Sequence, residues 1–316
     1  MNVLSSLRTA TDADSAQPEH KPFYENAAMA FGVGVPFFSL FFAIWLAWGH
    51  GVGLLEISLM VGMYSFTILG ITVGYHRLFT HKAYEAGPVT RAVLALAGSM
   101  AGQGPIIEWC ALHRRHHQHS DRDGDPHSPH LHGHGIIAMF KGMFHAHFGW
   151  LFEAEPAGLA RAVPDLIADP ILRFIDKFFW LWFLLGWIIP GLIATTFHHT
   201  WAAFLSGILW GGLVRTSLLH HVTWSINSVC HIWGTRPYSS PDESRNNALF
   251  GLLAFGEGWH NNHHAFPTSA RHGLKWWQID LTWYTIKVLE KCRLIWNVRL
   301  PQANALEVKL KLKKAA

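Results

Sequence analysis

The chain has 316 residues, of which 50% are hydrophobic, 14% aromatic and only 15% charged, with a formal net charge of +4. Soluble domains carry about 25% charged residues, so this deficit, together with 16 Trp, argues against an ordinary soluble enzyme and for a membrane protein. Three scattered cysteines without a C-x-x-C argue against a disulfide framework or a thiolate metal site, and the slight basic excess suits an anionic lipid surface, with no need of nucleic acid as partner.

In chain order, residues 1–26 are polar and low in large apolar groups, and are expected to form a flexible tail without a cleavable signal peptide. The stretch 27–48, AAMAFGVGVPFFSLFFAIWLAW, carries no charge. At about 1.5 Å per residue it crosses a hydrocarbon core of roughly 30 Å. A short link, HGVG, leads to a second span, 54–75, interrupted only by Glu56 near its start; the two form a helical hairpin. Spans 178–197 and 201–221, joined through His198, His199 and Thr200, form another. Arg215 lies within the fourth span, where a charge is expected to face a cavity, hold a lipid phosphate or snorkel to the surface.

The region 76–177 between the hairpins contains an apolar segment, 92–104, too short to cross and therefore buried or interfacial. It is followed by the turn-rich SDRDGDPHSPHLHGHG. The histidines from His130 to His147 are read as a solvated or interfacial loop. Beyond the fourth span, 274–296 has the pattern of an amphipathic interfacial helix. Residues 301–316 form a basic tail, suited equally to anionic lipid or to solvent. The predicted fold is therefore all-α, with four transmembrane helices and a helical cap, the membrane domain covering 27–300. Of the 25 Lys and Arg residues, ten lie in 76–177, twelve after 222, two before 27 and none in either short link. By the positive-inside rule, both termini and the cap are cytoplasmic.

The cap side also gathers the histidines. His113, His116 and His117 recur at i, i+3 and i+4, which share one helix face. His260, His263 and His264 repeat the pattern, and His76 and His81 form a pair. Neutral imidazole binds transition metals well. Eight histidines exceed the needs of one ion and suit two. Zinc has no redox chemistry, so oxidation of an oily substrate would require iron or copper. Clusters outside the spans argue against a metal transporter, whose ligands sit mid-membrane, and against a haem protein with axial histidines inside its spans.

The stretches GITVGYHRLFTH, EWCALHRRHHQHSD, DPHSP, HFGW, TWSINSVCHIWGTRPY and GEGWHNNHHAFP resemble the membrane fatty acid desaturases, specifically their Δ9 acyl-lipid and acyl-CoA branch. The resemblance implies a non-haem centre of two iron ions held by nine histidines: the eight above and His231. Asn227 would reach one iron through water. It implies removal of two vicinal hydrogens from a saturated C16–C18 chain by O₂, with electrons from a separate ferredoxin, rubredoxin or cytochrome b5-type carrier. Gln103, Trp109 and Thr223 match residues that line the bend of a substrate tunnel. Tyr64, twelve residues or about 18 Å before His76, matches the residue that closes it. Gly104, Ala111 and Leu112 stand where acyl-CoA enzymes carry polar groups, which leaves the acyl carrier open between CoA and lipid. The general three-box pattern also admits membrane hydroxylases and ketolases.

Overall fold

A computed structural model of the chain describes residues 21–154, 156 and 158–315, the side chains of 311–315 excepted. Most of the expected tail 1–26 lies outside the described residues. The helices that matter here are α1 (Phe23–His50), α2 (Leu54–Thr80), α3 (Pro88–Ser99), α4 (Ile106–His119), α5 (Ile136–His147), α6 (Pro170–Lys177), α7 (Phe179–His198), α8 (Trp201–His231), α9 (His260–Ala265), α10 (Leu281–Lys291) and α11 (Ala303–Ala315). Four of them, α1, α2, α7 and α8, are long and apolar enough to cross a membrane, as the composition requires. Among the described residues the fold is all-α apart from a two-stranded ribbon pairing Glu85–Ala86 with Ile295–Trp296 and the isolated bridges of Asn246 with Thr235 and Trp259.

Two spans run further than hydropathy indicates. Span α2 continues past Tyr75 to Thr80, and α8 continues past His221 to His231. Polarity rises at those points, yet the backbone stays helical. The last part of α2, Gly70–Thr80, is wound with π-type turns, in which hydrogen bonds run i→i+5; the amide of His81 donates to the carbonyl of His76 at 3.1 Å. Residues five apart therefore come to one side, and the His76 and His81 rings lie 4.8 Å apart. On a regular α-helix they would diverge.

The apolar segment before the second histidine cluster is α3, packed across α2. Gly70 meets the backbone of Ala97 and Gly98 so closely that a Cβ there would overlap it. Ser99 bonds the Tyr75 hydroxyl at 2.9 Å. Glu56, the one acid in α2, accepts from the hydroxyl of Ser206 of α8 at 3.0 Å. Arg215 neither snorkels nor lines a cavity. It is fully buried and donates to the carbonyls of Met100 (3.0 Å), Gly186 (2.8 Å) and Gly211 (3.2 Å), tying the end of α3 to α7. A guanidinium suits this place because its fork of donors can satisfy several carbonyls at once.

Other expectations are corrected. The stretch 130–147 is not wholly loop, since Ile136–His147 is helix α5. The span 274–296 is not one helix. Asp280 caps α10 by accepting from the amide of Trp283 at 2.9 Å, and its other oxygen accepts from the amides of His272 and Gly273 at 2.8 and 3.1 Å. The chain before Leu281 is thereby folded into a loop. The C-terminal stretch is helical in Ala303–Ala315, and Lys309 donates to the carbonyl of Ala265 at 2.6 Å.

Asp176, at the end of α6, is buried and accepts from the amide of Ile107 at 2.8 Å. Burial pushes its carboxyl up from 3.8 to about 6. A raised acid costs stability once the pH exceeds the unfolded value, so Asp176→Asn, which keeps the acceptor oxygen, should stabilise the protein by about 2–3 kcal/mol near neutral pH. The gain should vanish below pH 4. Thermal unfolding in detergent across that range checks it; a pH-independent gain would rule out the ionised carboxyl as the cause.

Candidate metal centre

The nine histidines converge in two groups. Their nitrogen atoms lie within 4.8 Å of one another in each: His76, His81, His113, His117 and His263 in one, and His116, His231, His260 and His264 in the other. They arrive from separate elements. His76 and His81 come from the π-wound end of α2, and His113, His116 and His117 from α4. His231 ends α8, and the last three stand on α9. Adjacent residues serve different groups, His116 with His117 and His263 with His264, which sets the groups side by side.

The remaining letters of each motif hold the histidines in register. Arg77 is fully buried and bonds Glu257 (3.0 Å), Asp280 (2.9 Å) and the carbonyl of Ala270 (2.7 Å). Arg114 forks onto Asp165 at 2.7 and 3.0 Å and onto the carbonyls of Phe79 and Thr80 at 2.7 and 3.1 Å, which ties α4 to the end of α2. Asn261 exchanges bonds with the backbone of Tyr238 at 2.9 and 3.1 Å. Asn262 donates to the carbonyl of His272 at 2.8 Å and accepts from Asn246 at 2.7 Å.

Four carboxylates, none singled out from the sequence, face the outer nitrogens. Nδ1 of His116 donates to Asp125 at 3.0 Å, that of His231 to Asp121 at 2.8 Å and that of His264 to Asp242 at 2.7 Å. Nδ1 of His76 lies 2.6 Å from Glu257, which also lies 3.2 Å from Nδ1 of His272. These acids sit in the quoted stretches HHQHSD, DPHSP and GEG and just after RPY, so the signal lay in plain view as acids flanking histidines. Such partners fix the tautomer and orient the ring. With the proton on Nδ1, each of the four rings turns the lone pair of Nε2 inward.

That arrangement is what a cation requires. Nε2 of His116 and of His264, both buried, has no protein partner. Elsewhere nitrogens face nitrogens: Nε2 of His76 and His263 at 3.1 Å, of His117 and His263 at 2.9 Å, and of His231 and His260 at 3.0 Å. Burial and the neighbouring imidazoles hold His81, His113, His117, His260 and His263 well below the usual histidine range, and burial lowers His264 to about 4 against the opposing pull of Asp242. These six rings are therefore neutral, the form that binds a metal. An all-imidazole set suits iron, copper or zinc.

An apolar cavity reaches this centre. Met29 and Val33 of α1 and Phe183 of α7 line its outer part, and His76, His113 and His260 its inner end. Asn227 also stands on its wall. Three of the four tunnel residues do so too, and they are bonded together. Trp109 donates to Gln103 at 3.3 Å, and Gln103 donates to Thr223 at 2.5 Å. Tyr64 lies off this wall. Its hydroxyl donates to the carbonyl of Leu253 at 2.8 Å and its ring packs edge-on against Phe255. His220 serves the same wall from behind, donating to the carbonyl of Ala101 at 3.1 Å, and His221 pairs with His147 at 3.0 Å. Neither touches a histidine of the two groups.

The fatty acid desaturase profile matches residues 51–293. The chain belongs to the fatty acid desaturase family. It is 42% identical over 277 residues to a hex-5-enoyl-[acyl-carrier protein] acetylenase of Moorena producens, covering 87% of this chain and 86% of the relative. It is 39% identical to a palmitoyl-monogalactosyldiacylglycerol delta-7 desaturase of Arabidopsis thaliana, covering 78% and 62%. It is 40% identical to an sn-1 stearoyl-lipid 9-desaturase of Anabaena variabilis, covering 73% and 79%. This desaturase-family chain is accordingly an oxidoreductase acting on fatty acyl chains, in a membrane setting that its four apolar helices provide.

Proposed function

We propose that this protein introduces a cis double bond at Δ9 into a saturated C16–C18 acyl chain, using O₂ and two electrons from a separate ferredoxin, rubredoxin or cytochrome b5-type carrier. The observation that carries the reading is the meeting of two histidine groups, one buried and one partly buried, at the inner end of an apolar cavity. In this reading the group of five histidines holds one iron ion and the group of four the other, with Asn227 reaching one of them through water. The metal pair supplies the oxidising power that removes two vicinal hydrogens; two electrons come from the substrate and two from the carrier, and O₂ leaves as water. The protein's own share is positioning. The apolar walls order the chain and exclude water, and the Trp109–Gln103–Thr223 relay fixes the bend that presents one pair of carbons. The lysine and arginine bias supports a cytoplasmic centre, within reach of a soluble or membrane-bound donor.

Support for Δ9 comes from the motif resemblance and from the Anabaena relative. The Moorena relative favours a second reading, in which an existing double bond is oxidised further to a triple bond. Expression in a host without its own desaturase, with double bonds located by mass spectrometry of methyl esters, separates them. A new 16:1 or 18:1 at C9 supports the first reading and an alkyne the second. Hydroxylated chains would overturn both. In the same assay Gln103→Ala, which breaks the relay at both ends, should spread the double bond over neighbouring positions while leaving iron content unchanged. A single product position in that variant would remove the relay from control of regiochemistry.

A further inference from the structure

We propose that the protein takes up its metal through a second, outer site, in which His132 and His145 capture a divalent transition-metal ion and pass it by way of Asp125 and His127 to His116; this rests on the reading of the two histidine groups as iron sites. His127, His132 and His145 belong neither to the group of five nor to the group of four. Local sequence brings the outer two together. Gly133 and Gly135 have φ of +92° and +93°, the left-handed region that favours glycine. They turn the loop so that its His132 meets His145 on α5. The two rings lie 4.9 Å apart, which is also the separation of His231 and His260 within the group of four.

The outer pair repeats the chemistry of the centre. Nδ1 of His145 donates to Glu153 at 3.0 Å, as Nδ1 of His116, His231 and His264 does to Asp125, Asp121 and Asp242. A carboxylate on one ring nitrogen fixes the tautomer and leaves the lone pair of Nε2 for a metal. Imidazole suits iron, zinc or copper, whereas magnesium and calcium take oxygen ligands. His132 and Glu153 are exposed and His145 is half-buried, so an ion reaches the pair from water. Two protein ligands leave the remaining positions on the ion to water, which suits capture followed by release.

A polar chamber connects the pair to the centre. Its wall contains His132, His145 and Glu153, and also Asp125. Asp125 is buried and forms, with His116 and His127, a trio whose ligand atoms lie within 4.8 Å of one another. That trio joins three places: Asp125 faces the chamber, His127 faces the chain cavity, and His116 belongs to the group of four. Nδ1 of His127 is buried, makes no hydrogen bond and lies 3.8 Å from Asp125, a gap that an ion held between them would fill. The proposed reaction gives this imidazole no other task. The two cations in the chamber's described lining, Lys21 and Arg115, donate to the carbonyls of Leu151 and Gly124, each at 3.0 Å. Asp125 and Glu153 offset their formal charge, so an entering cation meets no net opposing charge.

Metal-stripped, full-length protein in detergent would be given Fe²⁺ without O₂, under a large excess of Mg²⁺. Bound iron would be counted over time by mass spectrometry as a labile part, removed by a brief chelator wash, and a retained part. In the unaltered protein a labile ion should form first, and the rate of retention should level off as Fe²⁺ is raised. His132→Ala should abolish the labile ion and slow retention at low Fe²⁺ at least about tenfold, while Glu153→Gln should weaken the labile site about tenfold. His127→Gln, which lies beyond the outer pair, should keep the labile ion and slow only retention. Final iron content should be unchanged in all three. No labile ion in the unaltered protein, a labile ion indifferent to His132→Ala, or retention at the unaltered rate in His132→Ala or His127→Gln would overturn the proposal. A labile ion with no retained iron would keep the outer pair and overturn both its delivery role and the reading of the centre as an iron site.

Discussion

Replacing His116 by alanine should leave a protein that inserts in the membrane, loses iron from the group of four histidines and forms no measurable double bonds. His116 is buried. Its Nδ1 is committed to Asp125, and its Nε2 has no protein partner. Loss of an outer partner alone typically costs about 10- to 100-fold in metal affinity, and loss of a ligand from a set of four exceeds that. Alanine also leaves Asp125 buried without its imidazole, although the amides of Asp121 and His127 still donate to it at 2.9 and 3.1 Å. Iron per chain by mass spectrometry, read beside product formation, tests the placement. Full iron content with full turnover would remove His116 from the centre.

Glu257→Gln should have the largest effect of any outer substitution, on metal affinity and stability together. This carboxylate lies 2.6 Å from Nδ1 of His76, 3.2 Å from Nδ1 of His272 and 3.0 Å from the Arg77 guanidinium. Burial works to raise its pKa, but the two imidazoles and Arg77 outweigh burial and hold it well below the usual carboxylate range. Glutamine removes that charge and leaves Arg77, which is fully buried, with Asp280 as its remaining carboxylate. The expected cost is about 3 kcal/mol of stability and about 10- to 100-fold in metal affinity. Asp242→Asn makes the comparison: the Asp242 carboxylate holds His264 at 2.7 Å and no guanidinium, since Arg236 reaches only the backbone carbonyl of Asp242, so the variant should lose metal affinity with a smaller change in stability. Thermal unfolding of the loaded and stripped proteins separates the two terms. Equal destabilisation by both substitutions would refute the part given to Arg77.

Much of this arrangement is legible in the sequence. An uncharged run such as 27–48 has few alternatives to a span, and i, i+3, i+4 histidines on a helix must share a face. The ends of spans were harder to place. Hydropathy falls at His76 and after His221, while the hydrogen-bonded backbone continues, because polar side chains do not break a helix whose other faces are packed. His231 shows the consequence. Nothing in its spacing pairs it with His260, and motif resemblance alone singled it out. Extension of α8 is what carries it to the centre. His76 and His81 needed a π-wound turn, which depends on tertiary packing more than on residue preference. The four carboxylates are not legible in this way, because a lone acid near a histidine has the pattern of an exposed charge and only its burial tells the two apart. Tyr64 was matched by distance along a helix, which gives its depth in the membrane but leaves open the direction its ring faces.

The distribution of the nine histidines along the chain also sets an order of assembly. By the time α8 has left the ribosome, six of them have been made: His76, His81, His113, His116, His117 and His231. The two groups then contain four and two members, with no helix to close them. The closing piece, α9, is synthesised last among the ligand-bearing elements. Since metal binding and folding of a site draw on the same free energy, the centre can be completed only after the membrane part is in place. In the proposed reading, supply of the metal would therefore act on a chain already inserted, and without it the 85 residues that follow α8 would remain the most open to proteases.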